Sequence, residues 1–269
     1  MINRLLYLFL FLFVGSQAVA QYRMQHQPAE TPAAPYESDI LSARPIRYFI
    51  GVGLGALAYQ HLGEFTPYPS ICQCVFSDQD DLQFHYAGEL SIQYPKLGFG
   101  VKLLVQYVDF SSRFAYQETR MAVVVEDEPA VEALFEKSSD VELEYLTFTP
   151  MFAWYIPRSP VFLIGGPEVG ITMNAQYDNI ERILSPEGYD YYTGEDPFQY
   201  DFLKKSDIPE SSGVRLGLHL GIGVDLEITR RFFITPQFGA TLPLTPVSST
   251  HEDWNVGTEY GLILFRYRL

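Results

Sequence analysis

The stretch Val214-Arg-Leu-Gly-Leu-His-Leu-Gly-Ile-Gly-Val-Asp-Leu-Glu-Ile228 changes between apolar and other residues at every position. Every second residue is Val, Leu or Ile, and the residues between them are Gly, Arg, His, Asp or Glu. Because successive side chains of a β-strand point to opposite faces, this pattern predicts a strand with one apolar and one polar face. Its fifteen residues rise roughly 50 Å, whereas a usual strand has about 5–6 residues. Such a strand is typical of a wall between lipid and a polar lumen.

Seven other segments alternate in the same way, five of them clearly and two less cleanly. In one of them, for example, Phe84 and Tyr86 alternate with Gln83 and His85. Together with the opening stretch they make eight predicted strands. These strands are residues 48–59, 82–94, 98–111, 140–156, 161–177, 214–228, 232–242 and 255–269.

The connections between these strands are alternately long and short. The long ones are residues 60–81, 112–139, 178–211 and 243–254, and the short ones are residues 95–97, 157–160 and 229–231. An even number of antiparallel strands, with short turns at one end and long loops at the other, is the pattern of outer-membrane barrels. A soluble sandwich has no reason to keep that order.

Charge divides between the two kinds of connection. The chain has a net charge of −15, and acidic residues far outnumber basic ones in the long loops. The short turns contribute Lys96, Arg158, Arg230 and Arg231 and no acidic residue. This distribution predicts that the acidic loops lie outside the cell and the basic turns in the periplasm. It also argues against nucleic acid as a partner, because nucleic acid binding requires clustered Lys and Arg.

The N-terminus has the features of an export signal. Arg4 precedes an apolar run over residues 5–14, and small residues end at Ala20. The run is too short to cross a bilayer as a helix, so we expect a signal peptide over residues 1–20 with cleavage after Ala20. Residues 21–45 are rich in Gln, Pro and Ala and predict a flexible periplasmic lead-in, and residues 46–269 make up the barrel domain.

Three segments carry a family resemblance: residues 165–170 (Gly-Gly-Pro-Glu-Val-Gly), residues 217–225 and the terminal strand 260–269. With them, residues 46–269 resemble the OmpA/OmpX-type small outer-membrane β-barrels of Gram-negative bacteria. The resemblance implies an all-β fold, an eight-stranded antiparallel up-and-down transmembrane barrel with short periplasmic turns and long extracellular loops. Such barrels often end in Phe or Trp, whereas this sequence ends at Leu269.

The resemblance also implies a location and a set of partners. The mature chain is expected in the cell outer membrane as a monomer, in contact with membrane lipid and lipopolysaccharide, after insertion by the barrel-assembly machinery. An extracellular ligand or protein would bind through the long loops. No cofactor is expected.

Several ionisable residues fall on the predicted inward face, where a charge is costly unless it is paired. They are Glu89, Lys102, Glu168, Arg215, His219, Asp225 and Glu227. An eight-stranded barrel is just wide enough for side chains to fill it, which favours a structural polar network that closes the lumen. The alternative is a gated path for ions.

Two loop features leave alternatives open. Cys72 and Cys74 could form a strained disulfide in the exported chain, pair between molecules, or bind a soft metal, although two thiolates fall short of a zinc site. The acidic clusters Asp78, Asp80 and Asp81, and residues 126–128, are either solvated or bind divalent cations. Residues 126–137 combine acidic residues and Pro with a following apolar group, which predicts a short helix.

The sequence gives little sign of catalysis. Ser248, Ser249 and His251 lie in the fourth long loop and His61 in the first, but neither Gly-x-Ser-x-Gly nor His-Glu-x-x-His occurs. We therefore expect a structural or surface-display protein without catalytic or metal residues. A narrow porin-like channel, a lipid-modifying enzyme and a secreted soluble barrel are the alternatives.

Overall fold

The computed structural model describes residues 46–65, 76–122, 130–185, 199–250 and 254–269, all within one compact unit, Pro45–Leu269. The predicted signal peptide and lead-in lie outside these residues. Nearly all described residues belong to strands. The strands are β1 Arg47–Phe65, β2 Phe76–Tyr94, β3 Phe99–Asp109, β4 Ser112–Ala122, β5 Val131–Tyr155, β6 Val161–Ser185, β7 Gln199–Asp207, β8 Val214–Val224, β9 Leu226–Glu227, β10 Phe232–Pro243 and β11 Asn255–Arg268. Over these ranges no helix is long and apolar enough to cross a bilayer.

Eight of these strands close into a ring. Each pairs antiparallel with its neighbours in the order β1, β2, β3, β5, β6, β8, β10 and β11, and β11 then pairs with β1. The prediction of eight antiparallel strands running up and down is confirmed. The short connections, together with the start of β1 and the end of β11, form one end of the ring, called here the turn end. The opposite end is called the loop end.

Two glycines allow strands to approach closely on opposite sides of the ring. A Cβ atom on Gly55 of β1 would clash with the carbonyl oxygen of Gly261 of β11. A Cβ atom on Gly166 of β6 would clash with the carbonyl oxygen of Pro150 of β5. Any side chain at either position would force the backbones apart, so glycine permits the tight curvature of both seams.

Two of the predicted long loops contain further strands. β4 continues in the direction of β3 and pairs with the first half of β5. β7 pairs with the last part of β6, on the loop-end side of the residues that pair with β8. The resulting four-stranded sheet extends beyond the loop end of the ring. This outer sheet consists of Ser112–Ala122, residues 131–141, residues 176–185 and Gln199–Asp207. The sequence pattern did not predict it.

The predicted helix over residues 126–137 is wrong for its described part. Residues 131–137 begin β5, and Ala133 and Phe135 are buried while Glu132 is exposed, which is the period of a strand. β5 pairs here with β4 on one side and β6 on the other, and these non-local hydrogen bonds override the local helix signals. Residues 126–129 lie outside the described residues.

The opening stretch of the sequence is one strand with a short interruption. β8 ends at Val224 and β9 resumes at Leu226, but β10 keeps the same register offset on both sides of Asp225. Continuing that offset puts Pro236 opposite Val224. Proline has no amide hydrogen for the ladder, which accounts for the interruption without a change of register.

Candidate functional site

The outward side of the ring is an apolar belt. Val52, Phe84 and Phe152 are 67%, 86% and 71% exposed, and similar residues follow on every strand of the ring. Soluble monomers rarely expose apolar patches larger than a few hundred Å². The belt includes Ile50, Leu54, Tyr86, Leu90, Val101, Tyr107, Trp154, Leu163, Ile171, Leu216, Leu218, Leu220, Leu242, Ile263 and Phe265.

The inward side of the same strands is rich in buried polar and charged residues. Glu89, Lys102, Glu168, Arg215 and Arg266 are all at most 5% exposed. A closed ring leaves no unpaired sheet edge among its strands, and an apolar outside with a polar inside is the reverse of a soluble barrel. The fold is that of a small outer-membrane β-barrel. The lipid-facing part of the barrel is the belt, and the outer sheet lies beyond it.

Near the turn end, the inside of the barrel holds a charge-balanced cluster around Glu89. Its carboxylate lies 3.1 Å from the Nζ atom of Lys102 and 2.8 Å from the Nε atom of Arg266. The amide of Gln237 donates a further hydrogen bond to it at 3.2 Å. Arg266 also contacts Asp225 at 2.6 Å, so two acidic and two basic side chains neutralise one another. We call Glu89, Ser91, Lys102, Asp225, Thr235, Gln237 and Arg266 the lower cluster.

Farther toward the loop end lies a second group, the upper cluster of Glu168, Arg215, His219, Thr241 and Tyr260. Arg215 pairs directly with Glu168, whose other carboxylate oxygen accepts a hydrogen bond from Thr241 at 2.8 Å. The His219 ring joins Thr241 to the hydroxyl of Tyr260, at 3.1 Å on each side. Arg215 donates a further hydrogen bond to the carbonyl oxygen of Val256 at 2.8 Å. These contacts hold the charges of both ionic side chains within the barrel.

Above the upper cluster, aromatic side chains fill the barrel. We call Tyr59, His61, Phe110, Phe114 and Trp254 the aromatic plug. The Trp254 indole donates a hydrogen bond to Nδ1 of His61 at 3.0 Å, and Nε2 of His61 lies 2.9 Å from the carbonyl oxygen of Phe110. Because the indole can only donate, Nδ1 is the acceptor and Nε2 carries the proton. The rings of His61 and Phe114 meet edge to face, with 5.1 Å between their centroids.

Little space remains between these layers. A cavity of about 10 Å³ lies where the upper cluster meets the plug, and its lining combines the apolar Leu57 and Val108 with Gln106, Thr147 and Thr258. A volume of this size holds about one water molecule. Most side chains that make up the three layers are buried.

The structure distributes the predicted lumen residues between the two clusters. Glu89, Lys102 and Asp225 belong to the lower cluster and Glu168, Arg215 and His219 to the upper one. Glu227 differs. It faces inward opposite the buried Phe233, but at the open turn end, where it is exposed to solvent.

Arg266 is the main lumen residue that the pattern did not find. It is 1% exposed and contacts both acidic residues of the lower cluster. Immediately before it, the inward face of its strand carries Leu262 and Leu264, which are also buried. With apolar residues on both faces, the only signal was an arginine two residues after Leu264 in a strand of period two.

The outer sheet carries its own charged group on the inner face. Lys137 lies 2.8 Å from Glu118 and 3.8 Å from Glu181, and Arg120 lies 2.7 Å from Glu181. Arg120 also covers the Phe135 ring at 3.8 Å. We call Glu118, Arg120, Lys137 and Glu181 the charged quartet. Its ion pairs link β4, β5 and β6, and its four charges sum to zero.

The other face of the outer sheet is predominantly acidic. Glu132 of β5 is exposed, and Arg113 of β4 lies 3.0 Å from Glu136 and 3.6 Å from Asp140. Partial burial raises the pKa of the Asp140 carboxyl despite the nearby arginine. This face lies beyond the belt and carries more carboxylates than cations.

The residues considered for catalysis are engaged otherwise. Both ring nitrogens of His61 have partners within the plug, Ser248 is buried and donates to the Pro209 carbonyl oxygen, and Ser249 donates to Glu210. His251, Cys72 and Cys74 lie outside the described residues. Within the described ranges, no group of three or more His, Cys, Asp or Glu side chains is placed to hold a metal ion.

No protein-family model and no curated protein matches the chain. Solved structures with a similar strand arrangement include Ail of Yersinia pestis in complex with the heparin analogue sucrose octasulfate, at 12% identity and a TM-score of 0.34, covering 82% of this chain and 99% of that one. Neisserial surface protein A has 12% identity and a TM-score of 0.31, covering 83% and 97%. The outer membrane protease OmpT from Escherichia coli has 8% identity and a TM-score of 0.27, covering 83% and 96%. At these values none of them assigns a function to this chain.

Proposed function

We propose that this protein is a closed outer-membrane barrel that holds the outer sheet on the cell surface, where the sheet and adjoining loops bind a partner. The observation that carries the proposal is the continuation of β4 to β7 beyond the belt. In β5 alone this part is residues 131–141, which rise roughly 35 Å. Binding surfaces often occur on segments that a rigid scaffold holds in place.

The packing of the lumen supports display over conduction. An ion crossing the barrel would have to pass the aromatic plug, the Glu168–Arg215 pair and the lower cluster in turn. Each layer is made of side chains that hold one another through hydrogen bonds or ion pairs. A narrow channel would need all three layers to open together, which makes it the weaker proposal.

Two features support a surface protein without catalysis. His61, which an outer-rim lipid-modifying enzyme would need free, has both nitrogens engaged. The exposed face of the outer sheet is acidic, so its partner should present cationic or amide groups and not a sulfated sugar such as the one bound to Ail. Export with cleavage after Ala20, assembly by the barrel machinery and a monomeric state complete the proposal.

Site-specific labelling tests the orientation on which display depends. In a Cys72→Ser/Cys74→Ser background, Met121→Cys places a thiol on the outer sheet, where Met121 is 65% exposed, and Arg158→Cys places one at the turn end. A membrane-impermeant maleimide should label the Met121→Cys variant on intact cells. It should label the Arg158→Cys variant only after the outer membrane is permeabilised. Labelling of Arg158→Cys alone on intact cells would overturn the proposal.

A further inference from the structure

Each of the four places where strands are joined or paired at the turn end carries a basic side chain. The eight strands of the ring meet there in four places: the β2–β3, β5–β6 and β9–β10 turns and the paired ends of β1 and β11. They occur at every second boundary between neighbouring strands around the ring. The basic residues are Lys96 in the first turn, Arg158 in the second, Arg230 and Arg231 in the third, and Arg47 and Arg268 at the paired strand ends.

Acidic residues are nearly missing from the same end. Within the described residues of these turns and strand ends, Glu227 alone is acidic. The chain as a whole carries a net charge of −15, so this end is opposite in sign to the rest of the molecule. A ring of positive charge is therefore confined to one level of the barrel.

That level is the margin of the apolar belt. Lys96 is followed by Leu97, which is 68% exposed, and Arg158 lies two residues after the exposed Ile156. Arg231 donates a hydrogen bond from Nη1 to the Tyr267 hydroxyl at 3.0 Å. Basic and aromatic side chains beside an apolar surface are placed where a bilayer changes from acyl chains to headgroups.

Arg158 occupies a backbone position that disfavours it. Its φ angle is 62°, in the left-handed region where Gly or Asn is the usual residue. The turn, Pro157-Arg-Ser-Pro160, thus keeps an arginine where glycine would be less strained. Strain held at an exposed position points to a role of the side chain outside the fold.

We propose that Lys96, Arg158, Arg230 and Arg231 form a basic collar that binds the phosphates of anionic phospholipids in the periplasmic leaflet. The collar rests on the orientation in the proposed function, which puts the turn end in the periplasm. All four side chains are exposed. Each basic side chain near an anionic membrane surface contributes about fivefold to binding. Phosphatidylcholine carries the same phosphate without net charge and should bind the collar weakly.

A tryptophan at the turn-end margin of the belt provides the measurement. The chain has two Trp residues. Trp154 is 70% exposed on β5, four residues before Arg158, whereas Trp254 is buried in the plug. Lipid with brominated acyl chains quenches a tryptophan that it contacts, so Trp154 reports the lipid beside the collar. Mixing brominated and ordinary lipids in vesicles gives the relative affinity of each headgroup for this position.

We expect brominated phosphatidylglycerol to bind beside Trp154 well over fivefold better than brominated phosphatidylcholine, because more than one collar residue contributes, and the preference to fall as salt is added. Arg158→Gln should lower the preference about fivefold. The variant with all four collar residues changed to Gln should show none. Arg113→Gln removes an exposed arginine from the outer sheet and should leave it unchanged.

Heat-modifiable migration on gels shows separately whether each sample contains folded barrel. Equal affinity for the two lipids in folded, inserted wild-type protein would overturn the collar and leave the barrel proposal intact. Failure of the wild-type chain to insert at all would overturn the proposed function. An equal loss of preference in Arg113→Gln would also contradict the collar.

Discussion

Arg266 and Glu89 meet inside the barrel across a glycine. Their strands, β11 and β2, do not neighbour each other but flank β1, where Gly51 pairs with both residues. The Arg266 Nε atom lies 2.8 Å from the Glu89 carboxylate. A Cβ atom on Gly51 would lie 2.9 Å from Cγ of Arg266. The absence of a side chain at Gly51 is therefore what lets the central ion pair of the lower cluster form.

Gly51→Val should disrupt the lower cluster. The new side chain would displace Arg266 and leave a buried carboxylate poorly paired, so we expect the free energy of unfolding to fall by about 1–3 kcal/mol. Denaturant unfolding in detergent micelles measures the change. Gly88→Val is the matched control, because a Cβ atom there meets nothing within 4 Å. Equal losses in both variants would contradict the role of Gly51.

Lys102→Met should be more damaging than removal of the whole Glu89–Lys102 pair. The single change removes one cation from a charge-balanced cluster in which Glu89, Lys102 and Arg266 are almost fully buried, and breaking such a pair costs about 3–5 kcal/mol. In Glu89→Gln/Lys102→Met both charges are gone and Arg266 keeps Asp225. The double variant should therefore lose less stability than Lys102→Met alone. Strict additivity of the unfolding free energies would sink this prediction.

Planar-bilayer recordings should show no steady conductance for the wild-type barrel. Arg215→Ala should also stay closed, because the lower cluster and the aromatic plug lie on either side of the upper cluster and remain in place. The triple variant Arg215→Ala/Lys102→Ala/Trp254→Ala is expected to pass ions, since it truncates one large side chain in each of the three layers. Steady current through Arg215→Ala alone would favour the channel.

The hydrogen bonds of the plug predict one tautomer for His61. Trp254 donates to Nδ1, so the ring should be neutral with its proton on Nε2. Nitrogen NMR of ¹⁵N-histidine-labelled protein in micelles distinguishes the tautomers. Trp254→Phe removes the donor and should shift the Nδ1 resonance and lower stability by about 1 kcal/mol. A proton on Nδ1 in the wild-type protein would contradict the hydrogen bond from Trp254.

Lys137→Met should loosen the outer sheet and leave the barrel folded. The change leaves Glu118 and Glu181 with Arg120 as the only cation of the quartet. Limited proteolysis should then cut the outer sheet faster, while the shift in gel mobility on heating persists. Lys96→Met, at the opposite end, is the control and should leave the proteolysis rate unchanged. Loss of the heat-induced shift would mean that the sheet and barrel fold as one unit.

Alternation in the sequence predicts which face a residue occupies but not how far along the barrel it lies. It put Glu89 and Glu227 on the same inward face, yet Glu89 is 2% exposed and Glu227 is open to solvent at the turn end. Depth depends on where the strand begins relative to its neighbours. The pairing register sets this, and a single strand does not carry that information.

Residues 131–137 and Arg266 were missed for different reasons. Pro and acidic residues ahead of 131–137 imitate a helix start, and only pairing with the preceding strand β4 and the distant end of β6 makes the region a strand. Arg266 follows two inward leucines, so the last part of its strand has apolar residues on both faces and its inward side is hard to recognise there. Non-local contacts decided the first case and the composition of the interior the second.

The pairing of β1 with β11 also constrains how the molecule is made. Its register runs from Phe49 with Arg268 to Leu62 with Asn255. The first strand of the ring therefore completes its pairing only after the last strand has been added. Until β11 pairs with β1, each of the two strands has an edge of unpaired amides and carbonyls that hydrocarbon cannot solvate. Contacts this distant in sequence slow folding, because the closure entropy is lost before any pairing energy is gained. Ring closure is accordingly a late step, and a chain that stops short of Asn255 could not close the ring.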